Sequence, residues 1–295
     1  MKKINVAIVG VGSFAKALVE GVTFYVKNPD EQRGLLNPVI GGYRVQDINF
    51  VAAFDVDERK VGKKLHEAIY AEPNVTRKIT DSLEYDAVVH RGPTLDGVID
   101  QMKGVFVRES KAPMADVAAI LSKSKADVVL NLVPSGGDRA TFAYAEAALK
   151  ARCSFINCIP TSLATLPEWR KKFEESGLVL LGDDIKSQLG ATMLNRSLLA
   201  LLKMRGVSIV KSEQENRGGN ADHFNLIYRS KTKEKSKREA LTHFLEKGDA
   251  EPTVKFFYTG EPSGHKLVNI KLEGEIFGRI PISITSVIED EISIN

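Results

Sequence analysis

Little in this sequence announces a function by abundance. Its two cysteines, Cys153 and Cys158, lie five apart, a spacing poor for metal chelation, and they read as reduced structural thiols of a cytoplasmic protein. No spacing of His, Cys and Asp forms a closed ligand set, so no metal site is expected. No uninterrupted apolar stretch reaches membrane-spanning length, which leaves no candidate transmembrane helix. The formal net charge of +3 is too small to imply a nucleic-acid partner. Internal repeats and low-complexity linkers are also lacking.

What is present begins at the first residues. Ile4 to Val9 is a β-branched apolar run, Gly10-Val11-Gly12 a turn, and Ser13 onward a helix with Phe14, Leu18 and Val22 on its apolar face. Gly10, Gly12 and Ala15 form a G-x-G-x-x-A fingerprint: one glycine for the tight turn, one for backbone approach to a pyrophosphate, and a small residue for helix-on-strand packing. Ser13 and Phe14 open the helix whose free N–H groups would face phosphate. Met1-Lys2-Lys3 before apolar residues also resembles a secretion signal, but Asn5 and the glycines interrupt the run and Lys16 and Glu20 close it.

A loop-rich insertion from Asn28 to Gly42 delays the second strand, Phe50 to Phe54. Asp55 ends that strand, where a dinucleotide-binding unit holds the adenosine ribose; the alternative is a solvated strand-end carboxylate. An acid there favours NAD over NADP, with Arg59 arguing the other way. A helix is expected over Lys60 to Ile69, a strand at Ala87 to Val89, a helical stretch through Val98 and Met102, and another from Met114 to Ser124. The strand Asp127 to Leu132 follows, then helix Thr141 to Lys150, strand Ser154 to Ile159, a helix around Trp169, and strand Val179 to Leu181. This alternation predicts a doubly wound parallel sheet. Ser135 and Gly136 sit at a strand's carboxyl end and either face the cofactor or form an ordinary turn.

Beyond Gly182 the character changes. A long helix, Ala191 to Met204, leads to alternating segments at Val207–Glu215, Val254–Tyr258, Leu267–Ile276 and Ile282–Ile288, which predict a largely antiparallel sheet. The expected organisation is therefore α/β: a Rossmann-like domain over 1–185 and an α+β domain over 186–295. Polar groups concentrate in Gly182–Gln188, Gly218–Asp222, Ser230–Lys237 and Gly264–Lys266. By itself the basic run from Arg229 to Arg238 reads as a solvated helix entrance, and it lacks the interleaved aromatics of a nucleic-acid platform.

Several blocks in order carry a resemblance: Gly10–Ala15, Val51–Asp57, Arg91-Gly92-Pro93-Thr94-Leu95-Asp96-Gly97, Gly182-Asp183-Asp184-Ile185-Lys186-Ser187-Gln188-Leu189-Gly190-Ala191-Thr192, and Gly218-Gly219-Asn220-Ala221-Asp222. Over essentially the whole chain they resemble the myo-inositol-1-phosphate synthases, particularly the shorter bacterial and archaeal members. The resemblance implies conversion of D-glucose 6-phosphate to myo-inositol 1-phosphate by oxidation at C5, enolisation, intramolecular aldol closure and re-reduction, with NAD as a catalytic cofactor. It also implies a cytoplasmic homotetramer joined through the second-domain sheet. A plain NAD-dependent dehydrogenase of a phosphorylated substrate, or a catalytically silent NAD-binding sensor, are the alternatives.

Residue by residue, the resemblance sets Lys233 and Lys237 at a family lysine pair, with Lys231 an alternative for the first, and Lys266 at a third lysine where His265 replaces the family's preceding acid. Such lysines would stabilise alkoxide, enolate and aldolate oxygens. Asp184 falls at the nicotinamide-side acid, Asp222 at the substrate-side acid, and Asp290 at the acid after the last strand. Ser187, Gln188, Gly219, Asn220 and Lys231 are expected on the substrate. Gly10, Gly12, Ser13, Phe14, Ala15, Asp55, Ser135, Gly136 and Asp184 are expected on the cofactor. The family continues past a segment like Glu289–Asn295 with helices carrying a further lysine, and these are expected to be absent here.

Overall fold

A computed structural model describes residues 2–81 and 83–291. The chain gathers into two compact units, one running to Ile185 and the other starting at Lys186.

The first unit is built on a six-stranded sheet of order β3-β2-β1-β4-β5-β6, every pairing parallel. Its strands are β1 (Ile4–Val9), β2 (Ile48–Asp55), β3 (Val89–Arg91), β4 (Val128–Asn131), β5 (Ser154–Asn157) and β6 (Leu180–Leu181), and its helices α1 (Ser13–Lys27), α2 (Leu65–Ala68), α3 (Val117–Lys123), α4 (Asp138–Lys150) and α5 (Pro167–Glu175). Side chains of β1 alternate between two cores: Ala7 and Val9 join Phe54, Tyr144 and Phe155 in one, and Val6 and Ile8 join Ala15, Val19 and Leu65 in the other. A register shift opposite Val6/Ala7 adds one residue to β2, so Phe50 enters one core while Ala52 and Phe54 enter the other. With both faces covered, every central strand reads as apolar.

Strand order reverses at β1, which lies between β2 and β4. The turns after β1 and β4 therefore meet at the switch point where open α/β sheets take ligands.

Several expected elements are shorter. The helix expected over Lys60–Ile69 is reduced to α2, because Gly62 takes φ +85° and turns the chain to donate to Val89 O at 2.8 Å. The helical stretch through Met102 is a single 3₁₀ turn, Asp100–Met102. Helix α3 starts three residues later than Met114, where the Asp116 carboxylate caps it by accepting from Ala119 N at 3.0 Å. Lys16 and Glu20, which interrupt the apolar pattern of α1, are buried rather than solvated. Tyr70 donates to Glu20 at 2.9 Å and Lys16 donates to the Thr76 carbonyl, so residues 70–79 close over that face.

The second unit comprises α6 (Ala191–Met204), β7 (Ser208–Gly219), α7 (Ala221–Arg229), α8 (Lys231–Thr242), β8 (Thr253–Tyr258), β9 (Ser263–Glu275) and β10 (Pro281–Glu291). Its sheet has the order β10-β9-β7-β8. The pairings of β9 with β7 and β10 are antiparallel, as expected of a largely antiparallel sheet, and the β7–β8 pairing is parallel, which makes the sheet mixed. The reason lies in α7 and α8, which carry the chain across and return it in the same direction. Val268, Ile270 and Leu272 of β9 pack with Leu199, Leu202 and Leu241 from α6 and α8. Along β7 the buried positions Ser212, Gln214 and Asn216 are polar. They are linked as Asn195 Nδ2 to Gln214 Oε1, Gln214 Nε2 to Asn216 Oδ1 and Asn216 Nδ2 to Lys255 O, at 3.0–3.3 Å.

Candidate active site

In the first unit the glycine turn is fixed from both neighbouring strands. Gly10 N donates to Phe54 O at 2.8 Å, and Leu132 N donates to Val9 O at 2.8 Å. Gly10 takes φ +88°, and a Cβ there would lie 2.6 Å from Leu132 O, so only glycine fits. Gly12 differs: a Cβ would meet nothing within 4 Å. It sits at the N-cap of α1, and no side chain caps the first amides of that helix, at Ser13 and Phe14. Ala15 is fully buried against the sheet.

Asp55 serves this turn directly. One carboxylate oxygen accepts from Val11 N at 2.7 Å and the other from Val56 N and Asp57 N at 2.8 and 2.9 Å, with Lys60 Nζ 3.5 Å away. Arg59, which sequence set against Asp55 in choosing the cofactor, is committed elsewhere: it pairs with the Asp57 carboxylate through Nε and the guanidinium and donates to Phe106 O. Burial alone would raise the Asp57 carboxyl, but Arg59 and backbone donors outweigh it and hold the group below its ordinary range.

Along the carboxyl edge of the sheet runs a buried polar chain. Asn131 Nδ2 donates to Asn157 Oδ1 at 2.9 Å, and Asn157 Nδ2 donates to Asp183 Oδ1 at 2.7 Å. Asp183, to which sequence assigned no role, also accepts from Leu163 N, Ala164 N, Thr165 N and Thr165 Oγ1 at 2.9–3.2 Å. It thereby fixes the turn that presents Asp184, which is buried at φ +65° with its amide bonded to Ile159 O. Ser135 and Gly136 form the turn between β4 and α4, Gly136 at φ +81°. Cys153 and Cys158 are buried free thiols, each pushed up to about 11 mainly by burial.

The second unit gathers the expected substrate-side residues around the start of α6. Gly190 caps that helix without a side chain; a Cβ on it would lie 3.1 Å from Ser187 Cβ and 3.9 Å from an Asp290 oxygen. Lys237 Nζ donates to Thr192 Oγ1 at 3.3 Å. Lys266 Nζ lies 3.2 Å from Asp290, its partner across β9 and β10. Lys186 Nζ reaches Ser236 Oγ at 3.3 Å, adding a lysine that sequence left unassigned. Gln188 is exposed in the loop before α6. On α8, Lys233 and Lys237 share the half-buried face while Lys231, Lys235 and Arg238 are exposed. His265 is exposed and stands 3.6 Å from Glu289, apart from the Lys266–Asp290 pair.

Gly218 and Gly219 close this site from β7. A Cβ on Gly219 would lie 2.3 Å from Glu261 O, and one on Gly218 would lie 2.7 Å from His223 Nδ1, so both glycines are required by packing. Asn220 caps α7, accepting from His223 N at 2.9 Å, and Asp222 follows in the first turn. Among the described residues no group of three or more His, Cys, Asp or Glu is placed to hold a metal, and no helix is long and apolar enough to cross a membrane.

Comparison with known proteins places the chain in a family. The sequence profile of the family described as Myo-inositol-1-phosphate synthase matches residues 190–291. An inositol-3-phosphate synthase of Mycolicibacterium smegmatis is 42% identical over 295 residues, covering 96% of this chain and 80% of the relative. One from Corynebacterium glutamicum is 41% identical, covering 95% and 80%. The chain belongs to the myo-inositol-1-phosphate synthase family. Among solved structures, the crystal structure of Ari2 superposes with a TM-score of 0.81 at 34% identity, over 99% of this chain and 82% of the other.

Membership in this enzyme family explains which signals were readable. The profile match begins at Gly190, the cap of α6, and includes α7, α8 and the Lys266–Asp290 pair. Asp183 has no role readable from sequence although it stands within the recognised block, because an acid that binds backbone and an acid that binds ligand look alike in sequence. Asp183 has one local mark, its place beside a second aspartate. His223 has another, the Asn-x-x-His spacing of a helix cap.

Proposed function

We propose that this protein converts D-glucose 6-phosphate to myo-inositol 1-phosphate without net redox change, with NAD bound by the first unit and the carbon chemistry performed by the second. The observation that carries the reading is the gathering of Lys237 and the Lys266–Asp290 pair at the uncapped start of α6. A sugar phosphate needs an anion site, and three carbon oxygens in turn develop negative charge; a helix N-terminus with neighbouring ammonium groups suits both needs.

The open space before Gly12 and the uncapped amides of α1 fit a pyrophosphate, so Gly10, Gly12, Ser13, Phe14 and Ala15 would hold that part of NAD. Asp55 would take the ribose in place of its long contact to Lys60, and the commitment of Arg59 to Asp57 favours NAD over NADP. Ser135, Gly136 and Asp184 would border the cofactor at the sheet edge. When bound, NAD supplies a hydride acceptor and then returns the hydride.

On the substrate side, Ser187, Gln188 and the first amides of α6 would receive the phosphate. Lys233 and Lys237, one helical turn apart, and Lys266, held by Asp290, would present N–H donors to the alkoxide, enolate and aldolate oxygens. Asp222, Gly219 and Asn220 would shape the opposite wall. The exposed Ile282 and Val287 on the edge strand β10 support a homotetramer joined through this sheet. The buried, unpaired thiols suit a cytoplasmic setting.

The test is incubation with glucose 6-phosphate and NAD, followed by measurement of inositol phosphate and NADH. Inositol phosphate without accumulating NADH is expected. Steady NADH accumulation would replace the reading by a dehydrogenase, and bound NAD with neither product by a sensor.

A further inference from the structure

His223 has no part in the chemistry set out above. It lies in the first turn of α7, 5% exposed, directly after Asp222. Its backbone N–H and its ring Nδ1 both meet Asn220 Oδ1 at 2.9 Å. A backbone amide only donates, so the Asn220 atom that receives it is the carbonyl oxygen, an acceptor. Nδ1 must then carry the ring hydrogen, which leaves the lone pair of the neutral imidazole on Nε2.

Among the described residues Nε2 has no hydrogen-bonding partner. The bond from Nδ1 to Asn220 holds the ring in its orientation. Its Nδ1 side is wedged against Gly218, where a Cβ would lie 2.7 Å away, and Phe256 stands edge-on with centroids 6.4 Å apart. Lys237, Lys266, Asp222 and Asp290 all act electrostatically on the ring, and burial holds it neutral, with its pKa pushed down to about 4. These four charges are the ones assigned above to the substrate side. A buried acceptor with a fixed tautomer therefore stands unanswered within their reach, and such a group lowers stability until a donor arrives.

We infer that His223 Nε2 is the acceptor for a hydroxyl of the bound phosphosugar, which makes His223 a specificity-determining residue; the inference rests on the cyclisation reading. The chemistry separates the groups of the substrate. A phosphate dianion and a carbonyl have no proton to give, whereas each ring hydroxyl does. The residue therefore selects for a polyhydroxylated portion rather than for the phosphate, and an analogue lacking the matching hydroxyl would leave Nε2 bare.

Long-range ¹H–¹⁵N correlation spectra of the full chain labelled at histidine test this, with the His223 signals assigned by their loss in His223→Phe. Addition of glucose 6-phosphate is expected to move the Nε2 resonance upfield, as a lone pair accepting a hydrogen bond does, while inorganic phosphate leaves it in place. In parallel, His223→Phe is expected to raise KM for glucose 6-phosphate about 10-fold or more with a smaller change in kcat. His223→Gln, whose amide oxygen also accepts, should recover part of the loss and serves if the Phe variant fails to fold. An Nε2 resonance unmoved by saturating glucose 6-phosphate overturns the inference, a buried water then being the partner; if inositol phosphate still forms, the cyclisation reading survives. Movement by inorganic phosphate alone also overturns it. Movement by the sugar phosphate with no inositol phosphate formed upholds the hydroxyl acceptor and removes the cyclisation.

Discussion

Lys266 and Asp290 face each other across β9 and β10, the ammonium 3.2 and 3.4 Å from the two carboxylate oxygens. Their side chains are only 16% and 13% exposed, so each charge depends on the other for compensation. Lys266→Ala should lower unfolding free energy by about 3 kcal/mol, because it leaves a shielded carboxylate unpaired. It should also reduce inositol phosphate formation about 10²-fold or more if Lys266 stabilises a developing oxyanion. A folded Lys266→Ala protein with normal turnover would remove Lys266 from the reaction.

The two candidates for the first lysine of α8 separate by exposure. Lys231 is exposed with Lys235 and Arg238, whereas Lys233 shares the half-buried face with Lys237. Lys233→Ala should therefore lose turnover by at least about 10²-fold, and Lys231→Ala should stay within about twofold of the parent. The reverse order in steady-state assays would return the role to Lys231.

Asp55 binds its own turn before it binds anything else, accepting from Val11, Val56 and Asp57 amides. Its replacement by Ala releases three donors as well as a ligand contact. Titration calorimetry of Asp55→Ala should show NAD affinity weakened by about 10-fold or more, together with a lower melting temperature. Unchanged affinity in a destabilised protein would make the carboxylate purely structural.

The sequence made the first fold readable where two periods coincide with a turn: Ile4–Val9, the glycines and the apolar face of α1 each constrain the same unit, and the parallel sheet follows. Glycine shortened the helix expected from Lys60, because Gly62 at φ +85° turns the chain and α2 starts only at Leu65, while the apolar spacing runs through the turn. The parallel β7–β8 pair was hidden for another reason. Alternation along a strand reports which face is buried and says nothing of the neighbour's direction; the crossover by α7 and α8 decides that. In the candidate site, Lys237, Lys266 and Asp290 were proposed from resemblance alone, and the geometry adds their neighbours at α6. Asp183 was not legible, since three of its five partners are backbone amides of residues 163–165, distant in sequence and without side-chain identity.

Those partners give Asp183 a measurable consequence. Its two oxygens accept five hydrogen bonds, so Asp183→Ala should cost about 3 kcal/mol or more of stability. Asp183→Asn keeps the shape but turns an N–H₂ group toward backbone donors and should recover little. Denaturant unfolding checks both, and a loss below about 1 kcal/mol in each variant would contradict the anchoring of this turn.

His223 supplies a pH signature of its own. Its imidazole titrates at about 4 in the folded protein, chiefly because it is buried, against an ordinary value of about 6.5 in the unfolded chain. Asp222 and Asp290 favour the charged form while Lys237 and Lys266 oppose it. Between these values the unfolded state binds more protons, so stability falls as pH drops, by about 1.4 kcal/mol per unit and roughly 3 kcal/mol in all, and this contribution is flat above and below the window. His223→Phe removes the group while keeping an aromatic ring against Gly218. The difference in unfolding free energy between the parent and His223→Phe should therefore shift by roughly 3 kcal/mol in favour of the variant from pH 7 to pH 4. A constant difference across that range would mean that the imidazole takes up its proton as easily folded as unfolded, and that His223 is not the neutral acceptor its burial and its bond to Asn220 require.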